Sequence, residues 1–97
     1  MVIDGRVVIG SGTVISPWVT LGRNGAALEG PTLGARVFVG TGAKILGPVK
    51  IGDGARIAAN AVVLSDVPAH ATAAGAPARI VKRREPPESD GKGMSDG

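Results

Sequence analysis

The chain has 97 residues, the length of a single domain, and it carries no cysteine, so a disulfide framework and thiolate metal sites are excluded. Its net charge is +3, but aromatic residues make up only 2% of the chain, which disfavours nucleic-acid binding and favours a solvated basic segment or a phosphate-bearing small ligand. The sequence contains no long apolar run and no basic leader followed by an apolar core, so we expect neither a membrane span nor a signal peptide. We therefore expect a cytoplasmic location.

An aliphatic residue returns every six positions along most of the chain, with one interruption. The recurring residues are Ile3, Ile9, Ile15, Leu21, Leu33, Val39, Ile45, Ile51, Ile57 and Val63. A second column of small or β-branched residues lies four places further on: Val7, Thr13, Val19, Val37, Ala43, Val49, Ala55, Ala61 and Val67. A period of six is typical of a parallel β-helix, in which each hexad forms one side and its aliphatic residue points inward. A small antiparallel β-domain would not keep so long a frame.

The hexads at Ile3, Ile9 and Ile15 predict the first three-sided coil. Because the repeat starts at once, we expect either a fragment of a longer protein or a first coil that a partner chain covers. An open β-helix also leaves an unpaired edge at each end, so we expect an oligomer. Trp18 interrupts the small residues of the third side, and it is interpreted as a packing or subunit-contact residue.

The hexad frame breaks at residues 23–32 and resumes in phase at Leu33. The break is rich in turn formers, so it predicts a loop extruded from one corner. Loops on a rigid scaffold often carry function, which makes this one a candidate substrate wall. A subunit-contact flap without chemistry remains the alternative.

The domain organisation follows from where the repeat ends. We assign residues 1–68 to the β-helix, with two uninterrupted coils between Leu33 and Pro68, and residues 69–84 to a closing segment folded over the last coil. Residues 85–97 contain Pro, Glu, Ser, Asp, Lys and Gly without aliphatic residues, which predicts a disordered tail.

Several stretches together resemble the C-terminal β-helix of serine acetyltransferases, in the hexapeptide-repeat acyltransferase superfamily: residues 19–22, 40–55, 66–68 and 75–81. The resemblance spans about residues 3–82. It implies an all-β fold, a left-handed parallel β-helix with one extruded corner loop, and a homotrimer. It further implies acetyl-CoA bound between neighbouring prisms, and acetyl transfer to the hydroxyl of an amino acid or another small acceptor.

The resemblance also implies which residues bind the acyl donor. Those matched to the pantetheine arm are Gly40, Thr41, Ala58, Ala59 and Asn60, and those matched to the coenzyme A phosphates are Arg79 and Lys82. Small residues would let a narrow thioester arm approach the main chain, and basic residues suit phosphate. A solvated basic segment is the alternative for Arg79 and Lys82. Ser65 stands where relatives commonly carry a lysine.

The catalytic base stays unassigned. Family members use histidines as general base, but their positions fall before Met1 and at Gly30 here. His70 lies in a connecting turn, Asp4 at a corner and Glu29 on the loop, so none is assigned. The chain is therefore either an acetyltransferase or a non-catalytic trimeric β-helix that only binds coenzyme A or a partner. Carbonic anhydrases on the same fold need three histidines for zinc, so we expect no metal.

Overall fold

The computed structural model describes residues 2–3, 5–23 and 29–83, with only the backbone of Val2 and Arg83. Asp4 and the predicted tail, residues 85–97, lie outside the described residues. The described residues form these strands: β1 Val2–Ile3, β2 Arg6–Ile9, β3 Val14–Ile15, β4 Thr20–Gly22, β5 Glu29–Leu33, β6 Phe38–Val39, β7 Lys44–Leu46, β8 Lys50–Ile51, β9 Arg56–Ile57, β10 Val62–Val63, β11 Ala71–Gly75 and β12 Ala78–Arg83. Among them is no helix that could span a membrane.

The strands form three sheets, which are the three sides of a prism. The first sheet has the order β1-β4-β7-β10, the second β2-β5-β8, and the third β12-β11-β9-β6-β3. Neighbours in each sheet are parallel, except that β11 and β12 are antiparallel. Each of the first three coils thus contributes one strand to each sheet. The first coil is β1–β3, the second β4–β6, the third β7–β9, and the fourth begins at β10 and ends in β11.

The hexad residues fill the interior because strand pairing aligns them from coil to coil. On the first sheet Ile3 pairs with Leu21, Leu21 with Ile45, and Ile45 with Val63. The buried core contains the aliphatic and the small column together: Val19, Leu21, Leu33, Val37, Val39, Ala43, Ile45, Val49, Ile51, Ala55, Ile57, Ala61, Val63, Val67, Ala71 and Ala73. From the first coil, Val7 and Ile15 are partly buried and pack against this core.

Thr13 is a polar residue in the small column, and it bridges the first two coils. Its Oγ1 donates a hydrogen bond to the Gly34 carbonyl (2.8 Å) and accepts one from the Val37 N–H (3.1 Å). The hydroxyl is thereby satisfied at a half-buried position, as a polar group there requires.

The fourth coil departs from the hexad frame on its second side. Val67 pairs with Ile51, where an unbroken frame would have placed Ala69. The side is shortened because the Asp66 carboxylate accepts a hydrogen bond from the Lys50 N–H (2.9 Å), while the Lys50 carbonyl accepts one from the Val67 N–H. A side-chain oxygen thus stands in for a backbone carbonyl of the ladder.

After Pro68 the chain adds two strands to the third sheet. β11 pairs in parallel with β9, with Ala73 opposite Ile57, and β12 returns antiparallel to β11. The Ala76–Pro77 peptide bond in the turn between them is cis. The third sheet is therefore the widest side of the prism.

The predicted loop at residues 23–32 is shorter in the structure, because β5 begins at Glu29. Arg6 of β2 pairs with Glu29, and Pro31 is buried. Gly30 and Pro31 are common in turns, but here they are part of a strand, because β2 pairs with β5 and both residues are buried. Residues 24–28 lie outside the described part of the chain.

Candidate functional site

The turns leading from the third sheet to the first are stacked along one edge of the prism, here named the third corner: residues 16–18, 40–42 and 58–60. Backbone hydrogen bonds link them, since the Gly42 N–H donates to the Pro17 carbonyl (3.1 Å) and the Asn60 N–H to the Thr41 carbonyl (2.9 Å). The structure thus brings the predicted site residues of two coils into contact.

Gly40 has a structural reason to be glycine at this corner. A Cβ placed on it would lie 2.6 Å from the Ala59 nitrogen, so any side chain would push the two coils apart. Ala58 is half-buried, whereas Thr41, Ala59 and Asn60 are exposed. The outer surface of the corner therefore consists of backbone and short side chains, which leaves room for a narrow, extended ligand.

Arg79 and Lys82 lie on β12, at the far end of the third sheet. Arg79 pairs with Ala74, and Ala73 pairs with Ile57 directly before Ala58, so Arg79 continues the line of the third corner. Three strand spacings separate β12 from β6, which is about 14 Å at roughly 4.8 Å per strand. Both side chains are exposed. The corner thus has a basic end and an uncharged middle.

Among the side chains that the structure describes, Arg56 is also basic and lies on the outer surface of the third sheet. Arg56 pairs with Thr72, which pairs with Lys82, and its guanidinium lies 5.8 Å from the centroid of the Phe38 ring. This distance is within the range of a cation–π contact. Arg56 was missed in the sequence, although its position directly before the inward Ile57 marks it as outward-facing.

The candidate bases are not at the third corner. His70 lies at the corner between the second and third sheets, where its Nδ1 would be 2.8 Å from a Cβ on Gly54. Glu29 is exposed and forms an ion pair with Arg6 across 3.7 Å. The turns of the third corner contain no ionisable side chain. In the described part of the chain, no group of three or more His, Asp or Glu could hold a metal ion.

Trp18 occupies the third corner of the first coil, and its place there was not recognised from the sequence. It follows Ile15 by the same three positions as Gly42 follows Val39 and Asn60 follows Ile57. Its φ is 67°, in the left-handed region, and its side chain is 78% exposed. The spacing within the hexads was the signal that could have placed it.

Three comparisons with known proteins agree with one another. Residues 30–65 match the bacterial transferase hexapeptide (six repeats) model. Serine acetyltransferase of Helicobacter pylori strain J99 is 48% identical over 86% of this chain and 50% of its own length, and that of Escherichia coli K12 is 44% identical over 97% and 34%. A solved serine acetyltransferase in complex with CoA is 45% identical, with a TM-score of 0.72 over 82% of this chain and 33% of its own.

The chain spans half or less of the length of these relatives. Over that span, sequence and structure agree: the predicted left-handed parallel β-helix of hexapeptide repeats is confirmed. The resemblance of this chain to the β-helix of serine acetyltransferases is confirmed as well.

Proposed function

We propose that this chain is the β-helix of an acetyl-CoA-dependent O-acetyltransferase of the serine acetyltransferase type. The observation that carries the proposal is the 44–48% identity to serine acetyltransferases over 86% or more of this chain. The activity is proposed for the protein to which these residues belong, with an amino-acid hydroxyl or another small hydroxyl as acceptor.

The third corner is the proposed binding site for the acyl donor. The pantetheine arm lies along Gly40, Thr41, Ala58, Ala59 and Asn60, where short side chains expose the main chain to it. Arg79 and Lys82 bind the phosphates at the C-terminal end of the corner. Arg56, on the same sheet, adds positive potential there.

The reaction is acyl transfer from a thioester to an alcohol. The acceptor oxygen attacks the thioester carbonyl carbon, the new C–O bond forms, and the C–S bond breaks. A base takes the hydroxyl proton, and the departing sulfur is protonated in turn. What the residues of the third corner contribute is orientation of the donor, because their side chains do not titrate.

A homotrimer and a cytoplasmic location belong to the same proposal. The outer surface of the third sheet contains two exposed apolar side chains, those of Val14 and Phe38, which are 56% and 40% exposed in the single prism. Packing against a neighbouring prism would cover such a surface. The donor would then lie in the groove between two prisms, with the third corner as one wall.

The proposal is tested by acetyl-CoA calorimetry on the purified chain, with molar mass from light scattering on the same sample. We expect micromolar binding by a trimer, weakened about tenfold by Arg79→Ala or Lys82→Ala, because each removes a charged hydrogen-bond donor to phosphate. Lys50→Ala is the matched control, since it removes one exposed positive charge from the second sheet.

Equal weakening by all three substitutions would indicate general charge attraction and contradict the assigned corner. A trimer without detectable acetyl-CoA binding would support the second candidate, a non-catalytic β-helix. The observation in its favour is that Gly30 stands where the family has a histidine.

A further inference from the structure

The third corner does not end at Gly40. It continues one coil further, to the turn of residues 16–18, so Trp18 lies at the N-terminal end of the part of the corner that the structure describes. From β12 to β3 there are four strand spacings, about 19 Å. If phosphates bind at Arg79 and Lys82, the opposite end of an extended thioester points toward Trp18.

The backbone of Trp18 is unusual for so large a residue. Left-handed φ values are adopted readily by Gly and tolerated by Asn, but they are rare for bulky side chains. At the same corner, the later coils use Gly42 and Asn60 for this conformation. A bulky residue in a strained, exposed turn is more common at functional positions than elsewhere.

The direction of the indole follows from the other left-handed residues. Arg36 and His70, at the second corner, each lie over the glycine of the preceding coil, at 3.2 Å and 2.8 Å from the Cβ positions of Gly12 and Gly54. Asn60 lies over Gly42 in the same way. Each of these side chains leans toward the preceding coil, and by the same backbone geometry we place the Trp18 indole on the N-terminal side of its own turn.

We infer that the Trp18 indole is the surface that binds the acyl group of the bound thioester. The inference rests on the proposed function, because it takes the direction of the donor from the basic end of the corner. An indole presents an apolar face to an acyl chain, and its N–H donor lies at the edge of the ring, away from that face. The ring would then contribute to the binding of any acyl thioester, acetyl-CoA included, in proportion to the apolar area that the acyl group places on it.

Trp18 is the only tryptophan of the chain, so its fluorescence reports on this site alone. We expect butyryl-CoA to shift the emission toward the blue, because the chain covers an exposed indole, and acetyl-CoA to do so less. CoA without an acyl group should give the smallest change. In Arg79→Ala, the same shift should appear at about tenfold higher butyryl-CoA.

Calorimetry on variants measures the selectivity. Two additional methylenes against the indole should make butyryl-CoA bind about tenfold more tightly than acetyl-CoA in the unaltered chain. Trp18→Asn should reduce this ratio to about twofold or less, and its melting temperature should not fall, since Asn accepts the left-handed turn. Arg36→Asn makes a matched change at the second corner and should keep the tenfold ratio.

The outcomes separate this inference from the proposed function. Calorimetric binding of acetyl-CoA without any change in Trp18 emission overturns the inference and leaves the proposed function in place. An unchanged butyryl-to-acetyl ratio in Trp18→Asn overturns it too, as does loss of the trimer in that variant, which would make Trp18 a subunit contact. No binding of any of the three compounds overturns both.

Discussion

The first and the third coil have the same interior residue type at three matched positions but differ in burial. In the third coil Ile45, Ile51 and Ile57 are 0%, 2% and 0% exposed. In the first coil Ile3 and Ile9 are 49% and 39% exposed, and Ile15 is half-buried. The difference arises because the third coil has a neighbour on both sides, whereas the described residues supply the first coil with a neighbour on one side.

The hexad pattern thus sets which way a side chain points, but stacking decides how deeply it is buried. An inward isoleucine is shielded by its own coil only in part, and the coils above and below complete the cover. Measurements that compare matched positions in the two coils therefore report on what covers the first coil in solution.

The largest contrast is expected between Ile45→Ala and Ile3→Ala, which lie in one column of the first sheet. Ile45→Ala removes a fully buried side chain and should lower the free energy of unfolding by about 2–5 kcal/mol. Ile3→Ala should lower it by about 1 kcal/mol, because half of that side chain is already in contact with water. Urea unfolding at one protein concentration measures both.

Equal losses in the free energy of unfolding for Ile45→Ala and Ile3→Ala would contradict the expected difference, which is derived from burial in a single prism. They would show that another surface buries Ile3 in solution. Repeating the Ile3→Ala measurement over a range of protein concentrations then tells whether that surface is a second copy of the chain, because only association depends on concentration.

A smaller contrast is expected at the third corner, between Gly40→Ala and Ser16→Ala. Ser16 occupies the first-coil position that corresponds to Gly40, and its Cβ is already accommodated there. A Cβ on Gly40 would meet the Ala59 nitrogen at 2.6 Å, so the coils must separate, at a cost of about 1–3 kcal/mol. Ser16→Ala should change stability by less than about 0.5 kcal/mol.

Both variants are measured by thermal unfolding without acetyl-CoA, so that ligand binding does not enter. A Gly40→Ala chain as stable as the parent would show that the corner opens easily. In that case only ligand binding would explain why residue 40 is a glycine. Gly40→Ala would then weaken acetyl-CoA binding in calorimetry without lowering stability.

The comparison of the coils also shows how far the sequence could be read. The hexad frame predicted the β-helix, the inward columns and the phase across the interruption, because strand pairing repeats with the same period. It did not predict Val67 opposite Ile51, since a side-chain carboxylate, that of Asp66, replaces a ladder carbonyl there. The start of β5 at Glu29 also depends on a neighbouring strand.

For the site, the structure stacks the turns that contain Gly40, Thr41 and residues 58–60, and it adds Trp18 to their corner, which the sequence analysis had not done. The hexad spacing carried this information, because Trp18 follows Ile15 by the same three positions as Gly42 follows Val39. The assignment of Gly40, Thr41, Ala58, Ala59, Asn60, Arg79 and Lys82 to the donor site stays a proposal. The base has no candidate at the third corner, because the turns there carry no ionisable side chain.

The smallest effect is expected from the ion pair between Arg6 of the first coil and Glu29 of the second. Their atoms are 3.7 Å apart and the side chains are 77% and 60% exposed, so water screens the attraction. A double-mutant cycle of Arg6→Ala and Glu29→Ala should give a coupling energy below about 0.5 kcal/mol that vanishes at high salt. A coupling well above 1 kcal/mol that persists in salt would mean that the pair is shielded from water. Together with a large loss of stability in Ile3→Ala, that result would show that the first coil is covered on its outer faces as well as on its N-terminal side.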